Sequence, residues 1–580
     1  MELSQRSLAL YSLLASAALG CASQVARAAP GARETEESNA LVMTAEIALQ
    51  RDDCGRASTD YSIAAQHLTD GKLAARAVDV ALECGQYEVA ERAAARWHSL
   101  APTDPATLHA TMRAELGQYR IDDARGAFES WLKSGALSHE RPGARVAGAA
   151  GSPAADALLQ LAQESGVPAT LAMLRGVQAT PLQNGPSQLA LGNLALDGWN
   201  YREALQYGQN ALNSGAERAN AELLLARAHA GLGESDQAEA AASAAKVASP
   251  KEQSFASADV LLLLGREREA RAALEQLRDN SQLHLQAQRR LGLLAFNRGD
   301  YEEAQHDFSE LLSDHDSAAI AVYYLSAIAD RRDDVGTALR GYELLSGTAL
   351  EGAARERAAA LLYKQGQRDE ALRLLQATEA AGPAARVSAE ISQAQLLSNG
   401  GENDQSLARI DDALARCPGH PDLLYQKAIL LEKAGRTEAA IAQLERLYHD
   451  RPQDGAIANA LGFLFADHNR DLARADKLIE AALKSEPDNP AILDSLGWLY
   501  YRRGLSQQAL PLLERAFRLA QDGDIGAHWG EVLWALGEKT KAREAWSRAL
   551  IADPDNALVR AAQERVGVPH MPATGMGTSI

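Results

Sequence analysis

Apolar residues return along this chain at helical spacing, and runs that alternate apolar and polar residues are hard to find. Ala, Leu, Glu, Gln and Arg fill most positions between about residue 39 and about residue 563, while Val and Ile are sparse. The former residues lose little side-chain freedom in a helix. The pattern predicts an all-α chain.

The helical pattern is itself repeated. One copy reads Leu496-Gly497, Tyr500, Gly504, Ala509, Leu513, Ala516, and the next Trp529-Gly530, Leu533, Gly537, Ala542, Trp546, Ala549, Pro554. Earlier copies keep the skeleton, as in Ala428, Leu431, Gly435, Ala440, Leu444 and Leu291-Gly292, Gly299, Ala304, Phe308. The small position recurs at Ala57, Ala90, Ala124, Ala204, Ala238, Ala270, Ala304, Ala338, Ala371, Ser406, Ala440, Ala475, Ala509 and Ala542. Each position has a physical task. The Gly supplies a left-handed residue that ends a first helix, the small residue lets a second helix approach closely, and a Pro marks the second stop (Pro102, Pro250, Pro383, Pro418, Pro452, Pro487, Pro554). A hairpin of this kind cannot bury its own apolar face, so copies must stack.

A period of about 32–35 residues with this wording resembles the tetratricopeptide repeat (TPR). The resemblance implies a solenoid, a right-handed superhelix of about 14–15 helical hairpins. The chain is expected to divide into a signal peptide (1–20), a flexible tether (21–38), N-terminal repeats (39–134), a degenerate Gly- and Ala-rich stretch with Pro168 (135–185), a regular array (186–563) and a disordered tail (564–580).

The first twenty residues change the picture. An apolar stretch from about Ser7 to Gly20 is too short to span a bilayer and ends in Ala18-Leu19-Gly20-Cys21. This resembles a bacterial lipoprotein box, with Cys21 lipidated; Ala22 after it implies the outer membrane. The competing reading is cleavage after Ala26-Arg27-Ala28 and a soluble periplasmic protein. With Cys21 acylated three cysteines remain, an odd number for a disulfide framework; Cys54 and Cys84 fall near the same edge of successive repeats, either bridged or simply small and buried.

Net charge is -19, which disfavours nucleic acid as a partner. No H-E-x-x-H, G-x-S-x-G, Walker A or dinucleotide-binding glycine motif occurs. The thirteen histidines are scattered, without metal-ligand spacing. The expectation is a binding protein with no catalytic residue, cofactor or metal.

The last third is more specific. It reads Asn459-Ala460-Leu461-Gly462-Phe463, then Leu493-Asp494-Ser495-Leu496-Gly497-Trp498-Leu499-Tyr500-Tyr501-Arg502, then Gly530-Glu531-Val532-Leu533-Trp534-Ala535-Leu536-Gly537. This resembles a proteobacterial family of large TPR outer-membrane lipoproteins that includes the adaptor of a periplasmic carboxyl-terminal processing protease. The resemblance implies binding of that serine protease and presentation to it of substrates such as peptidoglycan hydrolases. In TPR proteins the first helices line the groove, so it also implies that Tyr425, Glu432, Lys433, Asn459, Phe463, Asp467, Asp494, Trp498, Tyr501, Arg502, Glu531 and Trp534 face a partner. For Trp498 and Trp534 the alternative is packing between repeats. Two other functions stay open: a scaffold for exopolysaccharide secretion or pilus biogenesis, and, from a different class, an enzyme using a carboxylate pair.

Overall fold

A computed structural model gives the structure, which describes residues 30–134, 152–376 and 382–569. The leader, Cys21, residues 135–151 of the degenerate stretch and the end of the tail lie outside the described residues.

Among the described residues the chain forms 31 α-helices and no strand. They are arranged as fifteen antiparallel hairpins and a closing single helix, Ala557–Arg565. The fold is an all-α TPR solenoid. Its first helix, Pro30–Gln50, begins inside the stretch expected to be a tether.

The repeated small residue explains the hairpin. All of the small positions given above, from Ala57 to Ala542, have no exposed surface. Ser406 adds a bond there, its hydroxyl donating to the Ala394 carbonyl at 2.6 Å. The degenerate stretch contributes a hairpin too, Pro153–Ser165 with the short Val167–Leu174, and fully buried Thr170 takes the small position. Opposite, the first helices carry glycines that leave no room for a side chain. A Cβ at Gly497 would lie 2.7 Å from Leu513 Cγ.

Helix ends follow local chemistry. Asp70, Asp104, Asp454, Asn489 and Asp522 each accept a backbone N–H of the first helical turn, satisfying donors with no intrahelical partner. Gly299, Gly366, Gly435, Gly504 and Gly537 adopt positive φ at the turn between the two helices. Asp52, Tyr119, Trp199, Asp333 and Asn469 do the same without being glycine. Pro383 differs from its expected role. It opens the helix Pro383–Asn399 rather than following a stop, because a first-turn proline sacrifices no hydrogen bond.

First helices of neighbouring hairpins touch one another far more than second helices do, so the first helices line the inside of the curve. The chain also closes on itself. Turns within N-terminal hairpins seat on loops between C-terminal hairpins. Gln86 Nε2 donates to the Pro418 carbonyl at 2.7 Å, and Arg451 to that of Gly117 at 2.8 Å. Arg175 donates to the Lys484 and Ser485 carbonyls, and Arg518 to that of Leu263 at 2.8 Å. Arg386 pairs with Asp52. Cys54, Cys84 and Cys417 are buried free thiols within this junction. The neighbouring Cys417 and Cys84 thiols, together with burial, push the Cys54 pKa up, so Cys54 stays a thiol. Among the described residues no helix is long and apolar enough to cross a membrane.

Candidate protein-binding groove

The residues singled out in the C-terminal third sit on the first helices Pro421–Lys433, Gly455–Asp467, Pro490–Arg502 and Gly523–Ala535. A one-repeat offset brings side chains of adjacent helices into contact. Trp498 Nε1 donates to Asp467 Oδ1 at 2.9 Å. Its ring stacks on His528, centroids 4.1 Å apart, and lies 5.1 Å from the Tyr501 ring. Arg502 lies over the Trp498 ring at 5.8 Å and 3.9 Å from Asp467. Tyr501 donates to Glu531 at 3.5 Å, and Glu531 pairs with Arg565 of the closing helix.

Two expected groove residues are spent inside the solenoid. Asp494 is 7% exposed and Trp498 4%. The Asp494 carboxylate takes His528 Nδ1 at 2.9 and 3.0 Å. Burial opposes a charge on His528, but the Asp494 carboxylate outweighs it and moves the imidazole pKa up. His528 is held between Asp494 and the Trp498 face, and Phe463 lies 5.8 Å from its ring. Asp494, Trp498 and His528, with Asp467, tie three hairpins together: Trp498 bonds Asp467 one repeat earlier and stacks on His528 one repeat later, and the half-buried Phe463 reaches His528 two repeats on.

Tyr425 also departs from expectation. It lines a cavity of about 320 Å³ at the junction with the N-terminal hairpins, beside Tyr87, Tyr119, Arg451 and Asp454. Burial, then Asp454, raises its pKa. Asn459 is half-buried with an Oδ1 that has no hydrogen-bond partner. Lys433 is exposed and reaches Asn399 at 3.2 Å.

Besides Lys433, Asn459 and Phe463, a row of half-buried groups on the last first helices stays open to a partner: Asp467, Tyr501, Arg502, Glu531 and Trp534. Trp534 stacks on the buried Trp546 at 5.8 Å and carries Lys539 and Arg543 against its ring. Aromatic rings framed by ionic groups suit recognition of a polypeptide, since Trp, Tyr and Arg dominate binding hot spots.

Among the described residues one trio places ligand-type atoms within 4.8 Å of one another: Glu432, Asp467 and His468. His468 Nε2 lies 2.7 Å from Glu432 Oε1, and Asp467 already holds the Trp498 indole and faces Arg502. The trio reads as an ion-pair network. Scattered histidines did not reveal it, because its members meet across one repeat.

Sequence comparison agrees with the geometry. The family described as "Tetratricopeptide repeat" matches residues 255–304, 289–345, 391–455 and 466–524. A curated relative, TPR repeat-containing protein PA4667 of Pseudomonas aeruginosa, is 33% identical over 215 residues. That match spans 36% of this chain and 36% of the relative. Similar solved structures include a thermophilic TPR protein of Thermus thermophilus, 19% identical, with 31% of this chain and 99% of that chain covered, TM-score 0.28. A TPR protein of Parabacteroides merdae is 14% identical, covers 42% and 97%, and has TM-score 0.31. The Cut9–Hcn1 hetero-tetramer is 15% identical, covers 91% and 96%, and has TM-score 0.28.

Proposed function

We propose that this chain, a solenoid of tetratricopeptide repeats, is an outer-membrane-anchored adaptor. It binds a periplasmic carboxyl-terminal processing protease and brings it protein substrates such as peptidoglycan hydrolases. Stacked hairpins with a lined inner face are suited to protein–protein scaffolding. The adaptor role and the membrane anchor draw their support from the wording of residues 459–537 and from the Ala18-Leu19-Gly20-Cys21 box. The observation that carries it is the row Asp467, Tyr501, Arg502, Glu531 and Trp534, half-buried on successive first helices.

The test is affinity capture of the tagged full-length chain from detergent-extracted envelopes, followed by mass spectrometry. Recovery of a carboxyl-terminal processing protease, and faster proteolysis when the purified pair is mixed, is the expected result. Recovery of secretion or pilus components with no protease replaces this reading with the envelope-assembly scaffold.

A further inference from the structure

The second and larger cavity lies where the later N-terminal hairpins meet the last two C-terminal hairpins, and it holds about 1080 Å³. Six arginines line it and three carboxylates, in a chain whose net charge is -19. Pairing sharpens the imbalance. Arg298 is matched by Asp300 and Glu303, and Arg548 faces Glu267 at 3.8 Å. Asp259 is taken by Arg290, from outside the lining. Among the described residues Arg227, Arg331, Arg357 and Arg518 make no direct ion pair, against one lining carboxylate, Glu544, in the same state, although Asp197 acts on Arg227, and Asp330 on Arg331 and Arg357, from just outside the lining.

Arg518 is occupied by the Ala230 and Leu263 carbonyls. Arg331 donates to the Ala552 carbonyl at 3.3 Å, yet its Nη1 is buried without a partner. Arg227 and Arg357 are exposed and make no hydrogen bond to a described residue. An unpaired guanidinium beside low-dielectric walls attracts carboxylates, which it binds in a planar, two-pronged geometry. The walls also carry Phe296, Tyr323 and Tyr324, a cluster with centroids 5.0 and 5.4 Å apart.

We propose that this cavity binds an acidic, aromatic-containing peptide segment of a partner protein. Size and layout favour a peptide over a compact anion. The space is at the upper end of small-molecule sites, which span roughly 300–1,000 Å³. A single phosphate is held by converging cations, whereas these four arginines come from four different hairpins. That spread suits carboxylates strung along a chain. The site lies between first helices of the middle hairpins and second helices of the last two, away from the row Asp467, Tyr501, Arg502, Glu531 and Trp534, so it stands whether or not the protease reading holds.

The experiment uses the full-length chain and a short fluorescein-labelled peptide of Glu, Asp and Tyr, with its Gln, Asn and Tyr counterpart as control, read by fluorescence anisotropy. The expected result is saturable binding of the acidic peptide alone, weakened by salt. Arg227→Ala with Arg357→Ala, both at exposed positions, should weaken it about tenfold or more with the circular dichroism spectrum unchanged. Tyr323→Ala should weaken it independently, and Trp534→Ala should leave it intact. Equal binding of the neutral peptide, indifference to the paired arginine variant, or displacement by tripolyphosphate as readily as by unlabelled peptide would each overturn the proposal.

Discussion

Asp488 and Tyr201 lie 287 positions apart, yet Asp488 Oδ2 accepts the Tyr201 backbone N–H at 3.1 Å. Its other oxygen takes Arg515 at 2.6 Å, and its own N–H donates to the Trp199 carbonyl at 3.0 Å. One buried carboxylate therefore fastens a C-terminal loop to an N-terminal turn. It does so at a place where Trp199 holds a left-handed backbone, φ 54°, a conformation that bulky residues keep only when their surroundings fix it.

Replacing Asp488 by Ala strands the Tyr201 N–H and leaves the Arg515 guanidinium only the Gly231 carbonyl. Loss of about 1.5–3 kcal/mol is expected, the range for hydrogen bonds to charged groups. Hydrogen exchange at Trp199–Tyr201 should accelerate with it. If urea unfolding shifts while those amides keep their protection, the closure is not held by Asp488.

Glycines within helices differ sharply in what surrounds them. At Gly530 a Cβ would sit 2.3 Å from Trp546 Nε1, and Trp546 is fully buried, so Gly530→Ala should cost about 1–3 kcal/mol. A Cβ at Gly126, on the exposed face of the helix Ile121–Lys133, would meet nothing within 4 Å. Gly126→Ala should stabilise by about 0.5–1 kcal/mol. Denaturant midpoints of the two variants check both signs.

Tryptophan substitutions should divide by burial. Trp498→Ala removes a buried ring and is expected to cost about 3–5 kcal/mol of stability, so any loss of partner binding would follow from unfolding. Trp534 and Tyr501 keep part of their surface in solvent. Trp534→Ala should weaken capture of the groove partner by about 2 kcal/mol or more with a smaller effect on folding. Binding within about 0.5 kcal/mol of the parent would remove Trp534 from the groove.

Burial pushes Asp307 up to about 6 and Glu115 up to about 7. Both values lie above those of the unfolded chain, so the folded state holds these protons more tightly. The stabilisation is fully present below the unfolded carboxylate range and is lost as pH rises through the folded values. Gln288 serves one Asp307 oxygen, and the other has no partner. Asp307→Asn should therefore flatten the stability profile between about pH 4 and 6 and raise stability at pH 7.5 by about 1 kcal/mol. Thermal melts across this range provide the check; an unchanged slope would mean that Asp307 is ionised throughout.

The groove is only partly legible in the sequence. Trp498, Tyr501 and Arg502 stand out by their place beside the repeat positions, and the structure does bring them together with Asp467. Nothing in that pattern shows Asp494 and Trp498 to be buried, because His528, which covers both, stands where other hairpins have Gln426, Ala460 and Ser495. That substitution is the available signal: an imidazole one repeat after an aspartate.

The sequence by itself determined the hairpins. Ala440 and its counterparts, the glycines at Gly435 and Gly504, and the capping aspartates act on partners within a repeat or one repeat away, so their spacing encodes the contact directly. Only the tertiary structure decided the closure. Which turn meets which loop depends on the small rotation added at every repeat, summed over many hairpins. The bonds that fasten it, such as those to the carbonyls of Pro418, Gly117 and Ser485, use backbone acceptors that every residue carries. Such groups leave no mark in the amino-acid pattern. The meeting of Cys54 and Cys84 with Cys417, the arginine-lined cavity and the grip of Asp488 on Tyr201 all arise from that sum.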